Sequence, residues 1–397
     1  MEKPANTNPQ SSILNPQSGQ SSILNPQSAI YLDHHATTPT DPRVVAKMLP
    51  YFTEHFGNPA SIVHAHGRKA SSAVEDARIA IARFLRVLPP EIYFTAGATE
   101  SNNIVLNLLK PDEHFITSAM EHKSILAPAE KHGNVTYLQP DREGFIHPDA
   151  LRDALCPETR LVSIEAANGE IGTIQPIGKL AAICRERKVL FHTDATQAAG
   201  KIPLDLTNVD FASFSAHKLY GPKGIGALFV RRGTRAVPLV VGGGQERNVR
   251  SGTVNVPGVI GFAAALQFRA EEMADEALRL AQLRERLREG LTESIPNISV
   301  NGPRELRLPG NLNVSFDRIE AESLILAMKR FSLSSGSACS SGEKGPSRVL
   351  KAIGLSDGAA MGSIRFGLGK SNDAEQMTML IDDLQRTVRR LREITPA

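Results

Sequence analysis

The sequence has few of the residues that mark several common classes of protein. Its 397 residues include no tryptophan, five tyrosines and only three cysteines. The cysteines are odd in number and share no CxxC spacing, which speaks against a zinc site and a disulfide framework, so no metal is expected. Such cysteine usage fits a reducing cytoplasm. No apolar run approaches the ~20 residues that a membrane-spanning helix needs, so no membrane association is expected.

The charges give no sign of a nucleic-acid-binding protein. The net charge is +3, and no basic run is interleaved with aromatic residues. Arginines cluster at 279–288 and 386–392, but leucines are mixed with them at helical spacing, which indicates solvated helix faces. We therefore expect no direct contact with nucleic acid.

Residues 1–29 differ in composition from the rest of the chain. The octapeptide Ser-Ser-Ile-Leu-Asn-Pro-Gln-Ser occurs at 11–18 and again at 21–28. The segment is polar and low in charge, and it lacks the basic start and apolar centre of a signal peptide. We interpret it as a disordered tail, and the sequence indicates no function for it.

Beyond the tail, strands and helices alternate. Short apolar strands and helical stretches follow one another from Ile92 to His192, which predicts a three-layer α/β domain with a mostly parallel or mixed sheet. Helices are expected before them at Pro42–Tyr51 and Ala70–Arg86. Ligands of such a sheet bind at the carboxyl ends of its strands, so the loops that follow the strands are where a site is expected.

The pattern changes after Gly258, where a smaller α+β domain is expected. Two helices are predicted at about Val259–Glu272 and Ala274–Glu293, followed by short strands and a final amphipathic helix capped by Asn372 and Glu375. The predicted organisation is a tail (1–29), a segment contributing to the small domain (30–45), a large domain (46–272) and the small domain (273–397).

The most informative stretch runs from 210 to 224. Phe211–Phe214 predicts a short strand, which leads into the polar turn Ser215-Ala216-His217-Lys218 and then into several glycines and a proline. A lysine in such a loop is held in place, and apolar walls or other cations would lower its pKa. Lys218 is thus a candidate nucleophile for Schiff-base formation, although a solvated surface position is the ordinary interpretation of any single lysine.

Three other strand-end loops carry polar residues. In the first, Thr95-Ala96-Gly97-Ala98-Thr99-Glu100 joins a strand to a helix and suits either a bound phosphate or a tight turn. Asp194 is placed to hold a protonated pyridine nitrogen or to cap a helix. His122 is placed to stack on an aromatic ring, to move a proton or to lie exposed. Together with Lys218, these features are what a pyridoxal phosphate (PLP) enzyme requires.

Cys339 lies in a stretch, 334–346, that has no large apolar residue and is rich in serine and glycine. Such a stretch should form a mobile surface loop in which a thiol is hard to bury, so Cys339 is a candidate nucleophile. Cys184 instead fits a buried position in an amphipathic helix. No polar company is expected for Cys156.

These motifs together resemble the cysteine desulfurases of the NifS/IscS type, in the class V aminotransferase group of fold type I PLP enzymes. The resemblance extends from Tyr31 to the final helix. It is carried by the stretch 31–39 and by Gly57-Asn58-Pro59-Ala60-Ser61, Gly97-Ala98-Thr99-Glu100-Ser101, Glu121-His122-Lys123, Asp194-Ala195-Thr196-Gln197, Ser215-Ala216-His217-Lys218, Arg250-Ser251-Gly252-Thr253 and Ser334-Ser335-Gly336-Ser337-Ala338-Cys339.

The resemblance implies a homodimer that converts L-cysteine to L-alanine and passes the sulfur to an iron–sulfur scaffold or a tRNA-thiolation protein. Lys218 would form the internal aldimine, His122 would stack on the ring and move protons, and Cys339 would take the sulfur. Arg365 would bind the substrate carboxylate. Asp194 would bind the pyridine nitrogen and Gln197 the ring hydroxyl, and the phosphate would be held by Ala98, Thr99, Ser215, His217 and, from the other subunit, Thr253.

One position departs from the family pattern. Where the family has Asn-Asn-Glu, this sequence has Asn168-Gly169-Glu170, so glycine replaces the asparagine that lies near the ring hydroxyl and the substrate. Asn168 or a water would then cover that contact. Two alternatives stay open: an aminotransferase or selenocysteine lyase with the same cofactor site, and an inactive scaffolding homologue, against which the complete set of site residues argues.

Overall fold

The computed structural model describes residues 29–336 and 345–394. The predicted tail lies outside these residues except for Ala29, and so does Cys339. The strands are β1 (Ile30–Tyr31), β2 (Ile92–Thr95), β3 (His114–Ser118), β4 (Val135–Leu138), β5 (Thr159–Ser163), β6 (Leu190–Asp194), β7 (Phe211–Ser215), β8 (Gly226–Val230), β9 (Ile298–Asn301), β10 (Asn311–Phe316), β11 (Phe331–Ser332) and β12 (Ser363–Gly367).

Helices connect most of these strands. The α-helices are α1 (Pro42–Met48), α2 (Pro50–Thr53), α3 (Ala65–Leu85), α4 (Ala98–Leu106), α5 (Lys123–His132), α6 (Pro148–Ala154), α7 (Ile177–Glu186), α8 (Val256–Ser294), α9 (Ala321–Ala327), α10 (Arg348–Ala352), α11 (Asp357–Met361) and α12 (Ala374–Ile394). Short 3₁₀ turns occupy Pro89–Glu91, Ala216–Lys218 and Glu246–Asn248. Within the part of the chain described, no helix is long and apolar enough to cross a membrane.

A seven-stranded sheet with the order β2-β8-β7-β6-β5-β3-β4 organises the first part of the chain. The pairs from β7 through β6, β5 and β3 to β4 are parallel, whereas β8 runs antiparallel to both β7 and β2. Every residue of β7 and β8 is buried, as expected for strands covered on both faces. The prediction of an α/β fold with a mostly parallel, mixed sheet is confirmed.

The parallel pairing of β6 and β7 positions the site. Asp194, the last residue of β6, pairs with Ser213 of β7, and β7 ends two residues later at Ser215. Because neighbouring parallel strands end at the same edge of a sheet, the loops after β6 and β7 emerge side by side. Asp194 and the turn that carries Lys218 therefore share one edge.

The helix α8 corrects one prediction. The sequence suggested two helices that break near residue 273, but α8 is continuous over 39 residues. No glycine or proline lies between Gly261 and Gly290, so nothing in the backbone forces a break. The first half buries Phe262 against the core of the large sheet, and the second half buries Leu287 in a separate apolar cluster.

That second cluster lies under two smaller sheets, an antiparallel one ordered β12-β10-β9 and a parallel pair of β1 and β11. Through β1, the first described residues of the chain thus pair with residues 331–332. The predicted domain boundaries are not tested by this architecture and remain predictions.

Three helix ends also differ from the predictions. The helix expected at Pro42–Tyr51 is split, because Pro50 cannot continue the hydrogen-bond ladder of α1 and instead begins α2. The helix expected from Ala70 begins at Ala65, where the His64 ring accepts a hydrogen bond from Gly67 N at 3.1 Å. Asp373, rather than Asn372, accepts the capping bond of α12, from Gln376 N at 2.8 Å.

Candidate active site

Lys218 is held against the residues that precede α1. Its Nζ donates hydrogen bonds to the carbonyl oxygens of His35, at 2.6 Å, and Ala36, at 2.7 Å. The turn is fixed from the same side, because Thr38 N donates to His217 O at 2.9 Å. A Cβ on Gly221 would lie 2.8 Å from Ala216 O, so only glycine allows the chain to leave the turn this closely. The amine is thus fixed at the end of β7.

Asp194 is joined to His122 by two intervening side chains. One carboxylate oxygen accepts from Thr196 N at 3.0 Å, and the other accepts from the Asn102 amide at 2.7 Å. The same amide nitrogen donates to Ser124 Oγ at 2.8 Å, and this hydroxyl lies 2.8 Å from His122 Nδ1. The side chains of Asp194 and His122 are therefore oriented by one buried network.

The tautomer of His122 follows from its contacts. His122 is the N-cap of α5, and its Nδ1 accepts a hydrogen bond from Ser124 N at 3.1 Å. A ring nitrogen that accepts carries no proton, so the proton of the neutral imidazole is on Nε2. Nε2 is therefore the nitrogen that carries the proton of the neutral ring.

The start of α4 forms a small cradle at the ends of β7 and β8. A Cβ on Gly97 would lie 3.5 Å from Ser215 Oγ, which places the two residues side by side. A Cβ on Gly226 would lie only 2.6 Å from Gly97 Cα, so glycine is required at 226 for this approach. The backbone N–H groups of Ala98 and Thr99 are in the first turn of α4, where no intrahelical acceptor exists. The helix dipole adds positive potential there, so the cradle suits an anion.

Two side chains lie beside the cradle. His217 Nδ1 lies 3.0 Å from Thr37 Oγ1, and burial, followed by the nearby lysines, lowers the pKa of His217 to about 4, so its ring is neutral near pH 7. Glu100 accepts a hydrogen bond from Ala96 N and forms an ion pair with Arg250 Nε at 3.0 Å. This pair links the start of α4 to the loop that contains Thr253, which is exposed.

Gln197 has every part of its carboxamide in contact with neighbours. Its Oε1 accepts from Lys201 Nζ at 2.8 Å and lies 3.2 Å from His35 Nδ1, while its Nε2 donates to His35 O at 2.9 Å. A Cβ at Gly169 would lie only 2.6 Å from Nε2. The glycine that departs from the family pattern thus lies directly against this side chain.

Asn168 is engaged within its own loop. Its Oδ1 accepts from Glu170 N and Ile171 N, both at 2.9 Å, and its amide donates to Glu165 Oε1 at 2.7 Å. These bonds account for the buried position of Asn168 without any ligand. A contact of Asn168 with the substrate remains a prediction.

Arg365, in β12, reaches the site from the smaller sheet. Its Nη2 donates to Asp33 Oδ1 at 2.6 Å, and its Nη1 donates to the carbonyl oxygens of Gly169 and Gly336, each at 3.3 Å. Its Nε is buried and has no hydrogen-bond partner among residues 29–336 and 345–394. Because Gly336 lies three residues before Cys339, the guanidinium lies at the beginning of the cysteine-containing segment.

The two cysteines within the described ranges differ in environment. Cys184 is buried in α7, as its amphipathic pattern predicted. Burial raises the pKa of its thiol to about 12. Cys156 is exposed, but its Sγ lies 3.3 Å from both His114 Nδ1 and Thr159 Oγ1. The expectation that Cys156 has no polar company is therefore wrong, because the loop before β5 brings the β3 histidine alongside it.

Sequence reasoning missed several residues of this site. They are Asp33, His35, Asn102, Ser124, Glu165 and Lys201. A signal existed for Asn102, because it follows Ala98 by four residues and periodicity therefore places it on the buried face of α4. For Glu165 and Lys201, which follow strands at the same edge, only the folded structure reveals the contacts.

Comparison with known proteins gives consistent results. A family model described as aminotransferase class-V matches residues 30–380. Cysteine desulfurase IscS of Anaeromyxobacter dehalogenans is 48% identical over 380 residues, which cover 92% of this chain and 94% of that protein. The mitochondrial cysteine desulfurase of Saccharomyces cerevisiae is 46% identical over 380 residues, covering 92% of this chain and 76% of that protein.

Solved structures are also similar. A NifS-like protein aligns with a TM-score of 0.85 and 36% identity, covering 91% of this chain and 99% of that one. The structure described as SspA in complex with cysteine aligns with a TM-score of 0.76 and 36% identity, covering 85% of this chain and 98% of that one.

Proposed function

The chain belongs to the class V aminotransferase family, among its cysteine desulfurases, and from that premise we propose that it removes sulfur from L-cysteine, releases L-alanine and holds the sulfur as a persulfide on Cys339. The observation that carries the proposal is the position of Lys218. Its amine is fixed at the same sheet edge as Asp194, and a helix N-terminus suited to an anion faces the end of β7.

These residues fit PLP, on which this family depends. The cradle formed by Ala98, Thr99, Ser215 and His217 would hold the phosphate, Asp194 the pyridine nitrogen and Gln197 the ring oxygen. When bound, PLP supplies an aldehyde to the Lys218 amine and an electron sink to the reacting substrate. The first-turn amides of α4 are the structural feature that most directly supports this assignment.

The chain's own groups manage the substrate and its protons. The Arg365 guanidinium would bind the substrate carboxylate. Its buried Nε has no hydrogen-bond partner among the described residues, so this N–H could donate to the carboxylate. His122 would exchange a proton at Nε2, since Nδ1 is occupied by Ser124. The network through Ser124 and Asn102 to Asp194 would keep the ring in this tautomer.

Cys339 would perform the sulfur transfer. Its thiolate attacks the sulfur of the substrate, so that an S–S bond forms while the substrate C–S bond breaks. The electron pair of the broken bond stays with carbon, which takes up a proton and becomes the methyl group of alanine. Ionisation of the thiol would be favoured beside cations such as Arg365.

The persulfide sulfur would then pass to an acceptor protein. Assembly of iron–sulfur clusters is the use that the relationship to the IscS proteins favours, and transfer to a tRNA-thiolation protein is a further proposal. Mitochondrial relatives occur beside bacterial ones, so the cytoplasm remains a prediction from cysteine usage. Two subunits would complete each site, since Thr253 would bind the phosphate held by the other subunit.

The experiment that tests this function separates cofactor binding from sulfur transfer. PLP-loaded protein receives L-cysteine, and alanine and persulfide are measured per subunit while the cofactor absorbance is recorded. Cys339→Ser should keep the absorbance but lose alanine and persulfide, because a hydroxyl stays protonated where a thiol of pKa about 8.5 partly ionises. The matched control is Cys156→Ser, which removes an exposed thiol and should retain full turnover.

Three results would contradict the proposal. Undiminished alanine release by Cys339→Ser would reject the persulfide, and formation of a keto acid from cysteine would indicate an aminotransferase. Faster turnover of selenocysteine than of cysteine would favour a selenocysteine lyase.

A further inference from the structure

Lys201 lies next to the site but has no role in the function proposed above. It follows Gln197 by four residues, and its Nζ donates to Gln197 Oε1 at 2.8 Å. Its amine shares a small cavity of about 30 Å³ with Lys218, and His34, Arg269 and Glu276 also line that cavity. The Lys201 side chain is half-buried, and lysine is rarely removed from solvent without a carboxylate partner, so this position calls for an explanation.

Lys201 and His35 together set which way the Gln197 carboxamide points. An amine donates to the carboxamide oxygen, so Oε1 must face Lys201 and Nε2 must face away from it. Nε2 then donates one hydrogen to His35 O at 2.9 Å and has a second N–H to give. Gly169 leaves room for this arrangement, because a Cβ there would come within 2.6 Å of Nε2.

The charges around Lys201 are mostly of its own sign. Burial lowers the pKa of the Lys201 amine well below its ordinary value, and the cations of Lys218, Arg365 and Arg269 lower it further. Glu276 acts in the opposite direction, but its carboxylate is bonded to Arg269 and to the Tyr220 hydroxyl. Lys201 in turn lowers the pKa of three nearby histidines, His34, His35 and His217.

We propose that Lys201 is a positioning residue for the desulfurase reaction: together with His35 it orients Gln197, so that the second N–H of Nε2 is directed to the ring oxygen of PLP. This inference rests on the proposed function, because it assigns Gln197 and Lys218 to the cofactor.

The test replaces Lys201 with methionine, which has a similar length and no charge. In the PLP-loaded protein without cysteine, the cofactor absorbance band should shift, because Gln197 is then held by His35 alone and donates less well to the ring oxygen. PLP should dissociate roughly tenfold more readily, the effect of about 1.4 kcal/mol. Lys201→Arg retains a hydrogen-bond donor at this position and should restore both the absorbance band and the affinity.

A second measurement excludes a merely structural role. The Lys201→Met protein without PLP should melt at a higher temperature than the wild type, because a poorly paired buried amine is removed. Lys179→Met, which replaces an exposed lysine on α7, is the matched control and should change none of these properties. If Lys201→Met fails to fold, Lys201→Gln is measured in the same way.

The outcomes that overturn the inference are distinct from failure of the proposed function. An absorbance band and a PLP affinity equal to those of the wild type would reject it. So would a lowered melting temperature of the PLP-free protein with equal losses in the methionine and arginine variants. If instead the wild-type absorbance persists in Lys218→Ala, the cofactor assignment itself fails.

Discussion

Two buried glutamates lie beside the network that joins Asp194 to His122. Glu121 Oε1 accepts a hydrogen bond from Glu165 N at 2.6 Å, and Glu121 Oε2 is buried without a partner in the ranges that the structure describes. Burial and the neighbouring carboxylates raise the pKa of both groups, that of Glu165 to about 8. Both carboxyls therefore hold a proton near neutral pH, which avoids three adjacent negative charges at Asp194.

The raised pKa of Glu165 makes a prediction about stability and pH. In the unfolded chain the group ionises near pH 4.5, whereas in the folded protein it stays protonated up to about pH 8. Its contribution to stability is thus complete below pH 4.5 and is lost as the pH rises towards 8. Glu165→Gln cannot ionise, so between pH 5 and pH 8 the wild type should lose on the order of 3–4 kcal/mol relative to the variant.

Thermal unfolding of the PLP-free protein at a series of pH values checks this expectation. Glu186→Gln, an exposed glutamate on α7, serves as the control and should follow the wild type at each pH. A constant difference between Glu165→Gln and the wild type across the range would mean that Glu165 is ionised in the folded state.

At the residue scale, sequence reasoning works where chemistry depends on a single position. Lys218 and Asp194 were predictable because Asp194 ends a recognisable strand and Lys218 lies in the turn that follows one. The family resemblance then indicated which groups of the cofactor they would bind. Lys201 and Glu165 were not, because a lysine or a glutamate at a strand end is usually solvated, and only folding surrounds them with like charges. Their significance is a property of the neighbourhood rather than of the residue.

Among the connecting elements, the turn Glu246–Asn248 has a strained backbone that its contacts must stabilise. All three residues have positive φ, at 48°, 54° and 65°, although none is glycine. The Glu246 carboxylate accepts from both Nη atoms of Arg78, at 2.8 and 2.9 Å, and from Phe94 N at 2.8 Å. The turn is thus bound to α3 and β2, just before the loop that contains Thr253.

We expect Glu246→Gln to destabilise the protein by about 3–5 kcal/mol, because it leaves the Arg78 charge buried with its main partner neutralised. Both side chains of this pair are only 4% exposed. The comparison is Glu393→Gln, which removes the partner of Arg389 on the surface of α12 and should cost less than about 1 kcal/mol.

Unfolding in denaturant measures both variants. Similar losses for Glu246→Gln and Glu393→Gln would mean that the buried pair contributes no more than a solvated one. A large loss of stability for Glu246→Gln alone would show that the contacts of the strained turn stabilise the large sheet.

Element boundaries could be predicted only where the sequence contains a physical stop. The alternation of strands and helices before Phe211 was predictable, since buried parallel strands are short, apolar and bounded by turns. The continuity of α8 was not, because its inward-facing side changes from one apolar cluster to another along its length. When the buried face of one long helix packs against two different clusters, its apolar pattern in the sequence is the same as that of two separate helices.

On the scale of the whole molecule, distant segments of the chain converge on one site. Asp33 comes from the beginning of the described chain, Gly169 from the loop after β5, and Arg365 from β12 near its end. Arg365 donates hydrogen bonds to both Asp33 and Gly169. The antiparallel sheet that contains β12 is thereby connected to the loop at the site edge of the large sheet. No local pattern contains this convergence, and the family resemblance was needed to predict it.

A further surface feature concerns association of two chains. Between residues 52 and 63, the side chains of Phe52, Phe56, Ile62 and Val63 are 58%, 65%, 63% and 87% exposed. Four large apolar side chains within twelve residues exceed the scattered exposure that is ordinary on a monomer. We interpret this segment as covered by a second copy of the chain, in agreement with the predicted homodimer.

If the homodimer completes each site, association and cofactor binding should be linked, and by thermodynamic necessity each should strengthen the other. Val63→Glu places a charge in the apolar segment and should raise the dimer dissociation constant by at least tenfold. PLP should then be lost as the dimer separates, because Thr253 would no longer reach the neighbouring phosphate. Thr253→Ala should weaken PLP binding by about 1.5–3 kcal/mol, the value of a hydrogen bond to a charged group, while the PLP-free dimer associates as in the wild type.

Sedimentation velocity with detection at the cofactor wavelength follows both quantities across a dilution series. Leu326→Glu, at an exposed leucine of α9, is the control for adding a surface charge and should sediment like the wild type. In a composite site, Val63→Glu should both separate the chains and release PLP. If the interface only lay near the site, Val63→Glu would separate the chains without releasing PLP. A PLP-loaded monomer in the Val63→Glu sample would therefore contradict the assignment of Thr253 to the partner's phosphate.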